Sequence, residues 1–198
     1  MKNKKEKQAF KLDPSLMKAS VYGANDGIIT TFAVMAGVVG AQLSPNVVII
    51  LGFANLFADG LSMGLGDYLG ERSERQLRKH QTKDEHPCKL YQEGGVACDT
   101  HPEGPVWLTG LVTFLSFIVA GFAPIIPFIL NFAFSLNINQ FAVSLATTAI
   151  ALFIVGTSRT AFIKGKWWIN GLEMFGVGML AALVAFALGY AAHRMVGA

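Results

Sequence analysis

The stretch SVYGANDGIITTFAVMAGVVGA, residues 20–41, is followed after a short connection by GFANLFADGLSMGLGDYLGERSE, residues 52–74. Each stretch overlaps an apolar run of at least the ~20 residues that a helix needs to cross a hydrocarbon core of ~30 Å. The connection contains the turn residues Ser44, Pro45 and Asn46. The pattern predicts two antiparallel helices that form a hairpin in the membrane.

Three further apolar runs follow the hairpin, so the sequence predicts an all-α membrane protein with five transmembrane helices. The expected spans are residues 20–43, 47–70, 107–130, 140–162 and 172–192. Only 15% of the 198 residues are charged and 53% are hydrophobic, whereas soluble domains carry about 25% charged residues. Because Pro124 and Pro127 lack backbone N–H groups, we expect them to kink or break the outer end of the third span.

Basic residues are distributed unequally among the segments that connect the spans. Fifteen of the 16 Lys and Arg residues lie before span 1, between spans 2 and 3 or between spans 4 and 5. Cytosolic segments carry this excess, so we expect the N-terminus inside and the C-terminus outside. The pattern also accounts for the net charge of +3, so no nucleic-acid partner is expected. The expected segments are a basic cytosolic tail (1–19), a transmembrane hairpin (20–70), a cytosolic loop (71–106) and spans 3–5 (107–198).

Three aspartates lie inside the hairpin: Asp26 in span 1, and Asp59 and Asp67 in span 2. A charged side chain at the centre of a membrane helix costs about 2.5–3.5 kcal/mol on insertion scales. Neither span contains a Lys or Arg that could neutralise these carboxylates. We therefore predict that the aspartates handle an ion or protons; the alternative is that they are structural carboxylates with satisfied hydrogen bonds.

The spacing of polar residues in span 2 suggests further ligands. Residues with oxygen or sulfur ligand atoms recur every four positions and so share one side of the helix: Asn55, Asp59, Met63 and Asp67. With a rise of about 1.5 Å per residue, we expect Asp26 at the depth of Met63, Asp67 at the cytosolic entrance and Asp59 further in. Oxygen ligands with one thioether suit Fe²⁺ and also admit Mn²⁺, Co²⁺ or Zn²⁺. The alternative is that Met63 only fills the core.

The expected loop contains residues with nitrogen and sulfur ligands: His80, His86, Cys88, Cys98 and His101. The last four could bind a zinc-like ion, although their spacing does not match a standard zinc finger. The alternative is a flexible loop with reduced thiols, as expected in the cytosol. Near the start of span 5, Glu173 is expected either to stabilise the helix N-terminus or to belong to an ion entrance.

The two stretches quoted above resemble the vacuolar iron transporter family, and GKWWINGLEMFGVGMLAALVAFALGY, residues 165–190, resembles its last span. The resemblance implies a five-helix homodimer that moves cytosolic Fe²⁺ or Mn²⁺ into a vacuole or out of the cell in exchange for protons. The metal ions are then transported substrates, and no prosthetic group is implied. The pore aspartate of the family corresponds to Asp26, its pore methionine to Met63, and the acidic position after it, commonly Glu, to Asp67.

Many members of that family insert a long, Glu-rich metal-binding domain between spans 2 and 3, and the expected loop is too short for it. The sequence therefore resembles the branch without this domain. Two alternatives stay open: a membrane metal sensor that uses the His/Cys loop, and an intramembrane metal-dependent enzyme. An enzyme would require firm ligands such as clustered histidines, and no His lies deep in any span, so enzymatic activity is not expected. No eukaryotic sorting signal is recognised, so we expect a prokaryotic plasma membrane, or otherwise a vacuolar membrane.

Overall fold

The computed structural model describes residues 14–84, 104–135, 139–158, 160 and 166–196, which form five α-helices with no strand among them. The helices are α1 (Pro14–Gly40), α2 (Pro45–Asp84), α3 (Val106–Phe134), α4 (Gln140–Ser158) and α5 (Trp167–Val196). Each is long and apolar enough to cross a membrane. The expected all-α architecture and the five spans are thus confirmed, and the chain is a multi-pass membrane protein.

Helix α2 extends well beyond its predicted span. Its 40 residues cover about 60 Å at 1.5 Å per residue, which is roughly twice the hydrocarbon thickness. Residues 71–84, expected as the start of a loop, are therefore helical. Arg75 fixes this extension because its Nε lies 2.8 Å from Oε1 of Glu71 and its Nη1 donates to the Gly104 carbonyl at 2.7 Å. The end of α2 is thus joined to the segment that precedes α3.

Close approaches between helices establish the direction of each one. At successive contacts the residue numbers rise together in the pairs α1–α3 and α1–α5, so the helices of each pair are parallel. In the pairs α2–α3 and α4–α5 the numbers rise along one helix and fall along the other, so these pairs are antiparallel. The pairs are Gly23–Thr113, Gly27–Phe117, Ile29–Gly178, Gly37–Ala185, Gly64–Gly110, Gly52–Ile125, Gly156–Gly171 and Leu152–Gly178. Helices α1, α3 and α5 therefore begin at the same end of the bundle. We call it the inner end, because the basic residues predict that it faces the cytosol, and we call the opposite end the outer end.

Helix α1 lies at the centre of the bundle and contacts each of the other four helices, whereas α2 packs chiefly on α3. Half of the most apolar stretch of α1 is buried (50%), against 28% for α2. Where α2 crosses α3, a Cβ at Gly64 would lie 2.7 Å from the carbonyl oxygen of Gly110. This approach requires glycine. Much of α2 nevertheless stays uncovered.

Two clusters of apolar side chains form the core. One is centred on Phe32 and Met35 of α1, and the second joins Leu56 of α2 to Phe117 of α3. All four of these side chains are at most 1% exposed. The core therefore lies on both sides of α3 and fixes α1 and α2 against it.

Helix α3 continues through Pro124 and Pro127 to Phe134, so the break expected at its outer end does not occur. The hydroxyl of Ser144 on α4 donates a hydrogen bond to the Pro124 carbonyl at 2.6 Å. The contact attaches α4 to α3 at this level of the bundle.

Candidate metal-ion pathway

The four residues that the sequence places on one side of α2 form a continuous stripe in the structure. They are Asn55, Asp59, Met63 and Asp67, and all four are half-buried. On one flank of this polar stripe lie Gly60 and Gly64, which are buried against α3. On the other flank lie Ser62 and Gly66, which are exposed. The stripe thus follows the edge of the contact between α2 and the rest of the bundle.

Asp26 of α1 lies beside Asp59 of the polar stripe. Each aspartate precedes a glycine, and both Gly27 and Gly60 pack against Phe117 of α3. The two carboxylates are close enough for Asp59 to act electrostatically on Asp26. Met63, which was expected at the depth of Asp26, lies one turn from Asp59 toward the inner end of the same stripe. Two carboxylates at one level can share a dication or a proton.

Asp67 has a hydrogen-bond donor from another helix. The Oγ1 of Thr113 on α3 donates to its Oδ2, and Thr113 is fully buried. Thr113 also lies within 3.2 Å of the Thr109 carbonyl, so its hydroxyl has two acceptors nearby. Sequence reasoning missed Thr113, because its position in an apolar span gives no sign of a carboxylate on another helix. Its role is to orient the carboxylate nearest the inner end.

The carboxylates form a line rather than a closed site. In the part of the chain that the structure describes, no three residues among His, Cys, Asp and Glu come together closely enough to hold a metal ion. Successive members of the stripe are about 6 Å apart along the helix axis. A single copy of the chain therefore offers a path with one or two acidic ligands at each level.

One face of α2 is uncovered, and we call it the open face. It carries small residues four positions apart, beside large apolar ones, and all of them are exposed: Ala54, Phe57, Ala58, Leu61, Ser62, Leu65, Gly66, Leu69 and Gly70. Among the described residues, no heavy atom lies within 4 Å of a Cβ built at Gly66 or Gly70. The open face borders the polar stripe directly. Small residues let a second helix approach closely, so a helix that covers this face would also cover the carboxylates.

Two of the remaining candidate residues, Glu173 and His80, do not belong to the stripe. Glu173 is exposed in the second turn of α5, whose first turn has no acidic residue. The expected role at the helix N-terminus does not fit this position, because the dipole effect is confined to the first turn. His80 is exposed near the end of α2. Four candidate ligands lie outside the described residues: His86, Cys88, Cys98 and His101.

The geometry can be compared with known proteins. The model of the VIT family matches residues 17–87 and 88–190 of the chain, which confirms the resemblance seen in the two hairpin stretches. A protein named vacuolar iron transporter from Plasmodium berghei (strain Anka) is 29% identical, with 93% of this chain and 85% of the relative covered. The protein of that name from Plasmodium falciparum (isolate 3D7) is 27% identical, with 90% and 82% covered.

A plant relative is similar over the same extent. Vacuolar iron transporter 1 from Arabidopsis thaliana is 24% identical, with 87% of this chain and 84% of the relative covered. The names of these relatives refer to iron and to a vacuole. They give no support to the expectation of a prokaryotic plasma membrane.

Proposed function

Because the chain belongs to the VIT family, we propose that it transports divalent iron across the membrane, also admits manganese, and exchanges the metal ion for protons. The observation that supports this proposal is the polar stripe of α2 with Asp26 beside it. Three carboxylates in membrane-spanning helices carry a large cost unless they bind an ion or a proton. The names of the relatives make iron the first substrate to test.

Asp26 and Asp59 are the proposed centre of the exchange. In the proposed exchange, this pair of carboxylates carries a proton when no metal ion is bound. A dication neutralises both and displaces that proton, because carboxylates bind metal in their ionised form. Release of the metal on the other side of the membrane restores the protonated state. This alternation couples metal movement to proton movement in the opposite direction.

Met63 gives the proposed pathway its preference among dications. It lies one turn from Asp59 and one turn from Asp67, so an ion that moves along the stripe passes its sulfur. A thioether favours Fe²⁺ over the harder Mn²⁺, whereas the carboxylates accept both. Asp67 comes first from the inner end, and the hydrogen bond from Thr113 holds it ready to receive an ion. Asn55 lies at the outer end of the stripe.

A second copy of the chain completes the proposed site. A single copy offers too few ligands at each level for a dication, which takes about six oxygen ligands or their equivalent. A two-fold axis beside the open face of α2 would bring two copies of Asp26, Asp59 and Met63 together. The spacing of Ala58, Ser62 and Gly66 leaves room for this approach. The homodimer and the ion pathway between its subunits are therefore one proposal.

The proposed orientation follows from the basic residues, which place the inner end in the cytosol. Metal then enters at Asp67 and leaves at the outer end, out of the cytosol. Cys88 and Cys98 provide a test, because they precede α3 and follow α2. An impermeant thiol reagent added outside intact cells that carry the protein in the plasma membrane should not label them. Labelling without permeabilisation would reverse the orientation and with it the direction of transport.

The proposed function is tested with purified full-length protein in liposomes that contain an iron-quenched dye and a pH dye. Addition of Fe²⁺ should quench the first dye and change the internal pH in the direction of proton exit, and Mn²⁺ should compete. Empty liposomes and Asp26→Asn are the matched controls. Metal uptake no faster than in empty liposomes would refute transport. Uptake without a pH change would refute proton exchange while leaving transport intact.

A further inference from the structure

The buried face of α4 is polar in its outer half and apolar in its inner half. Positions four residues apart form this face, and they read Gln140, Ser144, Thr148, Leu152 and Gly156 from the outer end inward. The last four are buried. These hydroxyls lie in the core, away from the polar stripe of α2, since α4 packs on α1, α3 and α5.

Of the two buried hydroxyl residues on this face, Ser144 lies nearer the outer end. Its Oγ lies 3.0 Å from Sδ of Met35 and 2.6 Å from the Pro124 carbonyl oxygen. One hydroxyl carries a single proton, so it can donate to only one of these acceptors at a time. Ser144 and Met35 are both at most 1% exposed. The level therefore has more acceptors than donors.

Thr31 of α1 and Thr148 of α4 lie at the same level of the bundle, one turn inward of Met35 and Ser144. One level of the two helices is given by Ile29 and Leu152, which both lie near Gly178. A second level, nearer the outer end, is given by the contact between Met35 and Ser144. Because α1 and α4 are antiparallel, Thr31 and Thr148 fall between those two levels. Each side chain is 1% exposed, and neither Oγ1 has a hydrogen-bond partner among the residues that the structure describes.

Helix α3 adds an acceptor beside these hydroxyls. Pro124 has no N–H and so cannot donate to the Ala120 carbonyl one turn earlier. The next residue, Gly121, lies against Thr31, since a Cβ built there would be 3.1 Å from the Thr31 Oγ1. A proline, a glycine and two threonine hydroxyls thus meet in the core between α1, α3 and α4.

We propose that this place is a binding site for ordered water, formed by Thr31, Met35, Ser144 and Thr148 between α1, α3 and α4. A buried hydroxyl without a partner is unfavourable, and a buried water typically supplies about three hydrogen bonds to such groups. The four side chains are neutral. A dication here would have no carboxylate to balance its charge, so water is the ligand that the chemistry fits.

The proposed water site is separate from the proposed metal path, and it binds water rather than a metal ion. The polar side of the site faces Gln140 at the outer end, which is half-buried, and Leu152 closes it toward the inner end. Exchange with bulk water therefore runs toward the outer end. The consequence is ordered water within the core at the level where α3 passes through Pro124.

Radiolytic hydroxyl-radical labelling of the full-length protein in detergent tests the proposal, because radicals form where bound water is present. Met35 is 1% exposed and Met174 is 6% exposed. If accessibility alone governs labelling, Met174 should be oxidised faster than Met35. With water at the proposed site, Met35 should be oxidised faster than Met174, and the double substitution Thr31→Val with Thr148→Val should abolish this difference.

Thr147→Val is the matched control, because the Thr147 hydroxyl already donates to the Ser144 carbonyl at 3.0 Å; it should leave Met35 labelling unchanged. Thermal unfolding gives a second readout. Valine in place of a dry, unsatisfied threonine should raise Tm, whereas loss of a water-binding hydroxyl should not. Slow labelling of Met35 in the folded wild-type protein would overturn the proposal, as would a raised Tm in the double variant. If the double variant does not fold, Thr148→Val alone is compared.

Discussion

Thr113 on α3 donates a hydrogen bond from its Oγ1 to Oδ2 of Asp67 on α2. The bond joins a fully buried hydroxyl to the carboxylate nearest the inner end of the polar stripe. A hydrogen bond to a charged group contributes about 1.5–3 kcal/mol. This pairing orients the first carboxylate that an ion from the inner end would meet.

Thr113→Val should therefore weaken metal capture without removing the central carboxylates. The substitution keeps the side-chain shape and deletes the donor, so we expect the apparent KM for Fe²⁺ to rise about tenfold, equivalent to about 1.4 kcal/mol. The maximal rate should change little, because Asp26 and Asp59 are intact. Thr113→Ser is the control and should retain a KM close to that of the wild type. Equal KM values for the Val and Ser variants would show that Thr113 has no part in ion capture.

Met63→Leu tests whether the thioether contributes to selectivity. The side chain packs against the core cluster of Leu56, Phe117 and Ile125, and Leu preserves most of its volume, so folding should be maintained. We expect transport of Fe²⁺ to fall by about tenfold, while transport of Mn²⁺ changes less, because the harder ion depends less on sulfur. The measurement is the ratio of the two fluxes in liposomes. An unchanged ratio would assign Met63 to packing alone.

Substitutions at two glycines of α2 distinguish an effect on subunit association from an effect on folding. Gly66→Leu adds a side chain where no heavy atom of the described residues lies within 4 Å, so the single chain should fold normally while the proposed dimer dissociates. Gly64→Leu places its Cβ 2.7 Å from the Gly110 carbonyl oxygen. It should cost at least 1–3 kcal/mol through overpacking and lower the yield of folded protein.

Mass measurement in detergent distinguishes the two glycine variants. The Gly66 variant should shift from dimer to monomer and lose transport, while its Tm at high detergent concentration stays near that of the matched wild-type monomer. A Gly66→Leu protein that remains dimeric and active would exclude the open face as the subunit interface.

Periodicity in the sequence predicts the spans and the side of α2 that carries the polar stripe. Both follow from spacing within one helix, which is local information. The depth of Asp26 relative to Asp59 does not follow from it, because counting assumes that the helices begin at known levels. Helix α1 begins at Pro14 rather than at residue 20, and glycine contacts with Phe117 set the register.

Spacing within one helix also does not reveal which polar groups on neighbouring helices lie close to a residue. Thr113, Thr31 and Thr148 are hydroxyl residues within apolar runs, where most threonines bond to their own backbone. Only the packing of α2 against α3 brings Thr113 to Asp67, and only the packing of α1 and α4 against α3 brings Thr31 and Thr148 to one level. Interhelical contacts of this kind depend on tertiary structure, so the sequence alone does not indicate them.

The most direct test of the account is metal transport by Asp26→Asn in liposomes. Asn keeps the size and polarity of the side chain and removes the charge beside Asp59, so Fe²⁺ flux should fall at least tenfold, which corresponds to about 1.4 kcal/mol of lost stabilisation. Membrane yield and Tm should be maintained or increased, because an ionised carboxylate within the membrane is costly. Normal Fe²⁺ flux through a well-folded Asp26→Asn protein would contradict the proposed role of this carboxylate in ion transport.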